Sequence, residues 1–176
     1  MTFGRTLVVA IFFLLALTAF IALHAAVKTP TLTPATSGDT YLPNAADSKI
    51  VSVSEKGPAS AVVLIQTQAV AIKETGPKET VARFGEVYAF SPTFLAVHRD
   101  EPTLIRFWNL QPDDEHDFML MDPDFKVLMK VMLPPLTDTS FVFTFHKEGL
   151  FDFVCTMHRP EMNGQILVLP PRKKSS

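Results

Sequence analysis

Two alternating aromatic runs near the end of the chain restrict what it can fold into. Phe141, Phe143 and Phe145 recur at a spacing of two, and after the turn His146-Lys-Glu-Gly149 the same spacing returns at Phe151, Phe153 and Cys155. Side chains two apart share a face only in an extended strand, so both runs read as strands with one apolar face. Ile166 and Val168 repeat the pattern beyond the loop Cys155-Thr-Met-His-Arg-Pro-Glu-Met162, which is therefore held by a sheet at both ends. That loop carries a thiol at Cys155, an imidazole at His158 and a thioether at Met162. Soft donors of this kind suit copper better than calcium or magnesium.

Upstream, residues 50–53, 61–72, 80–90, 94–97 and 103–109 are rich in β-branched and aromatic side chains and are bounded by Gly-Pro, Asp and Pro turns. Strands so closely spaced predict an all-β fold, an antiparallel Greek-key β-sandwich or barrel. No internal repeat and no amphipathic helix is evident. Phe90, Phe94, Phe107, Trp108, Phe118, Phe141, Phe143, Phe145, Phe151 and Phe153 are expected to form the core, with Met119, Met121, Met129 and Met132 filling gaps in it. The carboxylate pair Asp113-Asp114 lies in a turn and is assigned no chemistry.

The first part of the chain has a different character. Residues 7–26 carry no charge and follow the single basic residue Arg5, which predicts an apolar helix over residues 1–27 serving as signal peptide or membrane anchor. Its length favours an uncleaved anchor, since a secretory signal core is only about 7–15 residues long and a spanning helix needs about 20. The arginine before it places the N-terminus inside and the remainder on the periplasmic, extracytoplasmic side of the membrane. Residues 28–48, rich in Pro, Thr, Ser and Ala, read as a flexible linker. Residues 49–170 then form the folded domain, and residues 171–176 a short basic tail. A net charge of -2 and the lack of a basic stripe argue against nucleic acid as a partner. The lone cysteine has no internal disulfide partner, and its neighbours favour a metal over a reactive thiol.

A mononuclear copper site of the two-histidine, one-cysteine type requires a second imidazole. His24 lies in the apolar segment, and His98 and His146 sit in charged turns, where solvated side chains are the rule. His116 opens the apolar run that continues to Met121 and reads equally well as a ligand or as a packed residue.

Over residues 79–169, roughly half of the protein, the chain resembles the cupredoxins. The resemblance is carried by Ser91-Pro-Thr-Phe-Leu-Ala-Val97, Leu104-Ile-Arg-Phe-Trp-Asn109, His116-Asp-Phe118, Phe143-Thr-Phe-His-Lys-Glu-Gly-Leu-Phe-Asp-Phe-Val-Cys155 and His158 to Met162 followed by Gly164-Gln-Ile-Leu-Val168. It implies a cupredoxin-like domain that binds one type 1 copper ion through His116, Cys155, His158 and Met162. The His158–Met162 spacing is one residue longer than in amicyanin-like loops and one shorter than in plastocyanin-like loops, which leaves Glu161 as an alternative axial donor. A binuclear copper domain would need a second cysteine in the loop, and the chain has none. The resemblance further implies a one-electron Cu(I)/Cu(II) carrier serving transient redox partners, with copper delivery or storage as the alternative. Enzymatic activity is not expected, since no His-Cys-His run links a second metal centre. His158 is expected to be the more exposed ligand, Met157 and Pro160 to form a docking patch, and Asp117 to stabilise the oxidised site if its carboxylate lies close.

Overall fold

The computed structural model describes residues 40–173. The apolar segment at residues 7–26 lies outside them, as does the expected linker up to residue 39. Among the described residues no helix is long and apolar enough to cross a membrane.

Ten strands build two sheets: β1 (Val51–Ser54), β2 (Ala61–Ala71), β3 (Val87–Ser91), β4 (Phe94–His98), β5 (Thr103–Trp108), β6 (His116–Met121), β7 (Val127–Leu133), β8 (Asp138–Phe145), β9 (Gly149–Val154) and β10 (Asn163–Leu169). The first sheet has the order β1-β8-β5-β2-β3 and the second β4-β10-β9-β6-β7. The chain changes sheet at β3 to β4, at β4 to β5, at β5 to β6, at β7 to β8 and at β8 to β9. These crossings make the all-β sandwich that the alternating runs predict. Most neighbours are antiparallel, but the crossings also set β2 beside β5 and β4 beside β10 in parallel. The first residues after 49, whose role the sequence leaves open, supply β1 and β2 of the first sheet.

The inward faces meet in one aromatic core. Phe90 lies 5.3 Å from Phe153, Phe107 lies 4.6 Å from Phe118, and Phe145 lies 5.0 Å from Phe151, ring centre to ring centre. Each such side chain, fully buried, contributes about 1.5–3 kcal/mol of transfer free energy. Two expected core members are displaced outward. Phe94 is 53% exposed, because β4 is an edge strand that turns Leu95 and Val97 inward instead. Trp108 is only partly buried, on the outer face of β5 opposite Ile105 and Phe107.

Two further expectations are corrected, and one strand carried no expectation. The strand anticipated over residues 80–90 begins only at Val87, and a short helix, α1 (Lys78–Phe84), occupies its first half. Pro77 caps α1, Glu79 and Arg83 complement its two ends, and Gly85 stops it at φ 81°, where only glycine sits without strain. None of its residues is buried, so no sheet face exists to recruit them. Secondly, β7 had no period-2 signal because five of its seven residues are buried, on both faces. Thirdly, residues 40–48, expected within the linker, are tied to the folded domain. Tyr41 exchanges two backbone hydrogen bonds with Lys130 of β7, at 2.8 and 3.0 Å, and the Met132 amide donates to Thr40 Oγ1 at 3.0 Å. A capped turn at Asn44–Asp47 follows.

Where β10 leaves the loop after Cys155, Gly164 lies opposite Phe153. A Cβ at Gly164 would collide with the Phe153 ring and stand 2.5 Å from Thr93 O. Gly164→Ala should therefore cost about 1–3 kcal/mol, the range for overpacking a core, read as a lower urea midpoint with an unchanged slope.

Candidate metal centre

Strand β6 and the loop between β9 and β10 supply the site. His116 is the first residue of β6 and wholly buried, Cys155 directly follows β9 and is wholly buried, and His158 lies half-buried on the loop. His116 Nδ1 and His158 Nδ1 are 3.1 Å apart, and Cys155 Sγ is 3.9 Å from the first and 3.5 Å from the second. The same nitrogen of each ring thus faces the sulfur. Metal–ligand distances of about 2.0–2.3 Å around a trigonal plane require donors about 3.5–4.0 Å apart. The three atoms lie near those separations, so this donor set fits one copper ion.

The loop is closed on itself. The Cys155 amide donates to Met162 O at 2.9 Å and the Met162 amide to His158 O at 3.0 Å. Met162 is wholly buried and Glu161 exposed, so the thioether and not the carboxylate is turned inward.

Several groups that sequence reasoning missed hold the donors in place. Gln111 Oε1 lies 3.1 Å from His116 Nε2 and also accepts from the Thr67 hydroxyl. A carbonyl oxygen can only accept, so His116 carries its proton on Nε2 and leaves the Nδ1 lone pair free for the site. Asn109 anchors this network by accepting from Gln111 N at 3.1 Å and donating to Asp114 O and Leu133 O at 2.7 and 2.8 Å. Tyr88, on β3, packs its ring 5.0 Å from that of His116 and 4.5 Å from that of His158, and its hydroxyl donates to Asp114 at 2.7 Å. Burial and the Asp114 carboxylate push the Tyr88 phenol far above its ordinary range. No local motif marked Gln111 or Tyr88, because each meets the site only through the fold.

Asp117 meets the site through its backbone, and its carboxylate bonds the loop rather than a donor atom. Its backbone amide approaches Cys155 Sγ at 3.5 Å, while its carboxylate accepts from the Thr156 amide at 2.6 Å and from the Thr156 hydroxyl. Burial pushes the Cys155 thiol up, and the amides of Asp117, Met157 and His158 partly offset this. The other described histidines lie apart from this group: His98 Nδ1 is 2.6 Å from Pro170 O, and His146 bridges Ser52 and Asp100. His24 falls outside the described residues.

No protein-family model matches the chain, and no curated protein matches it. Solved structures do. Auracyanin B is 15% identical, with 69% of this chain and 99% of that chain covered at a TM-score of 0.49. Auracyanin A, a "blue" copper protein from the green thermophilic photosynthetic bacterium Chloroflexus aurantiacus, is 17% identical over 61% of this chain and 98% of its own, at 0.44. A reduced Cu(I) form of an amicyanin variant is 17% identical over 68% and 98%, at 0.42. The sandwich itself stands on the strand pairing described above.

Burial, and the His158 ring beside it, lower the His116 pKa to about 4. A histidine depressed in the folded state contributes stability above its unfolded pKa of about 6.5, and this is lost as pH falls toward the folded value. Copper-free protein should therefore lose up to about 3 kcal/mol in urea unfolding between pH 7 and pH 4, and His116→Gln should flatten that slope. Gln111→Leu, which removes the acceptor at Nε2, should weaken copper binding about 10–100-fold in a chelator competition. The chain is thus an all-β sandwich in which His116, Cys155 and His158 form a group able to hold one metal ion.

Proposed function

We propose that the protein is a one-electron carrier of the cell envelope, holding one type 1 copper ion through His116, Cys155 and His158 with Met162 as the axial donor. The observation that carries the reading is the convergence of two Nδ1 atoms and one sulfur within 3.1–3.9 Å on a sheet-anchored loop. Bound copper would supply a reversible Cu(I)/Cu(II) couple, and softness of the donors favours that ion. The chain's own part is to keep the donors still. His116 is fixed by Gln111 and Tyr88, Cys155 by the backbone amide of Asp117, and His158 by the loop hydrogen bond from Met162. A donor set that moves little between oxidation states is suited to electron transfer.

His158 is the donor nearest solvent, and the residues flanking it shape the approach of a partner. Met157 is 45% exposed, Pro160 is exposed, and Leu110 and Leu136 stand out from the neighbouring loops. Such an apolar rim suits brief, weak contacts with a redox protein. The uncharged segment at residues 7–26 supports placement on the extracytoplasmic face of a membrane, with the folded domain carried there by its tether.

One equivalent of copper(II) added to the protein should produce an intense thiolate-to-copper band and narrow copper hyperfine splitting, both lost in Cys155→Ser. A weak tetragonal spectrum, or copper stripped at once by a mild chelator, would replace electron transfer with copper delivery or storage.

A further inference from the structure

Asp117 is a wholly buried carboxylate one residue from His116, and its amide touches Cys155 Sγ. Buried charge needs a counter-charge. The counter-charge is Lys130, whose Nζ lies 3.7 Å from Asp117 Oδ2 and whose side chain is only 19% exposed. Among the described residues no other cation pairs with this carboxylate. Lys130 sits mid-strand in β7, opposite Met119, while Asp117 is opposite Met132. Tyr41 and Thr40 clip the backbone of β7 at those same residues, Lys130 and Met132. The first described residues thus pair with the strand that carries the lysine and hold its backbone in place.

We propose that Lys130 sets the balance between the two oxidation states of the bound copper, by neutralising Asp117 behind the donor set. The inference rests on the copper reading above. A lone carboxylate there favours the more highly charged Cu(II), and a paired ammonium cancels that preference. Because the pair is largely withdrawn from water, salt screens it weakly. The residue acts through Asp117 and touches none of the donors.

The test uses the full-length protein and the variants Lys130→Gln, Lys130→Arg, Asp117→Asn and the Lys130→Gln/Asp117→Asn double variant. Midpoint potentials come from spectroelectrochemistry, and Cu(I) and Cu(II) dissociation constants from competition with chelators selective for each. Lys130→Gln should lower the potential and raise the Cu(II)-to-Cu(I) affinity ratio roughly tenfold, the order of effect of one nearby unit charge at intermediate dielectric. Asp117→Asn keeps one acceptor for the Thr156 amide, can donate to the Thr156 hydroxyl, and should shift both quantities the opposite way. The double variant should return close to wild type, and Lys130→Arg should remain there. A purely structural role would not produce opposite signs from the two halves of one contact. Shifts of the same sign, or an unchanged potential in Lys130→Gln with its thiolate-to-copper band intact, would overturn the proposal and leave the carrier reading standing. A wild-type protein without that band overturns the carrier reading, and this one with it.

Discussion

Asp117 grips two consecutive residues of the donor loop from a neighbouring strand, and the site depends on that grip. Its amide reaches the sulfur of Cys155, and its carboxylate takes both the amide and the hydroxyl of Thr156. Hydrogen bonds to a buried charge are worth about 1.5–3 kcal/mol each, roughly twice those between neutral groups. Because His116 is the preceding residue, the same turn of backbone that places one imidazole also fixes where the thiol must lie. Position along β6 and position along the loop become one variable. Slipping β6 by one residue against β9 would turn Asp117 to the opposite face and release the loop, so the ladder Met119↔Val154 and Leu120↔Phe153 guards the geometry of the donors.

The aromatic core supplies the rigidity behind this arrangement. Phe118, between Asp117 and Met119, contacts Phe107 and Phe153 at 4.6 and 5.1 Å and ties β6 to both sheets. Close-packed rings resist small displacements because gaps below the size of a water molecule forfeit dispersion contacts without admitting solvent. A strand anchored in this way does not follow a ligand. It makes the ligand adapt to it, and that is the requirement for a centre whose oxidation states share one geometry.

The donor loop was legible in the sequence because its chemistry is local: Cys155, His158 and Met162 lie within one turn of chain between two alternating runs. The sandwich was legible for the same reason, since strands such as β5 and β9 announce their buried faces by their own period. His116 was not separable from a packed histidine by its neighbours alone, and only the resemblance singled it out. Gln111, Tyr88, Thr67 and Lys130 carried no signal, because each meets the site only where the fold brings distant stretches of chain together, as Tyr88 meets His158 and Thr67 meets Gln111. β7 failed for a different reason. Alternation marks a strand only when one face meets water, and residues on both faces of this one are buried. The helix α1 was misread because its residues favour either state, and what decided it was the Pro77 start and the Gly85 stop.

The polar groups beneath the site form a chain of accounted hydrogen bonds. Thr67, Asn109, Gln111 and His116 are all buried, and burying four such side chains is costly unless each finds a partner. The network makes that expense serve selection of a tautomer. With Nε2 committed to Gln111, the imidazole of His116 cannot turn over, and protonating Nδ1 would place a cation in an apolar pocket beside a second imidazole. That combination explains why the His116 pKa falls to about 4. At neutral pH the ring is consequently unprotonated before any metal arrives, so no proton has to leave His116 for copper to bind. The fold thus spends its polar burial on keeping one lone pair available.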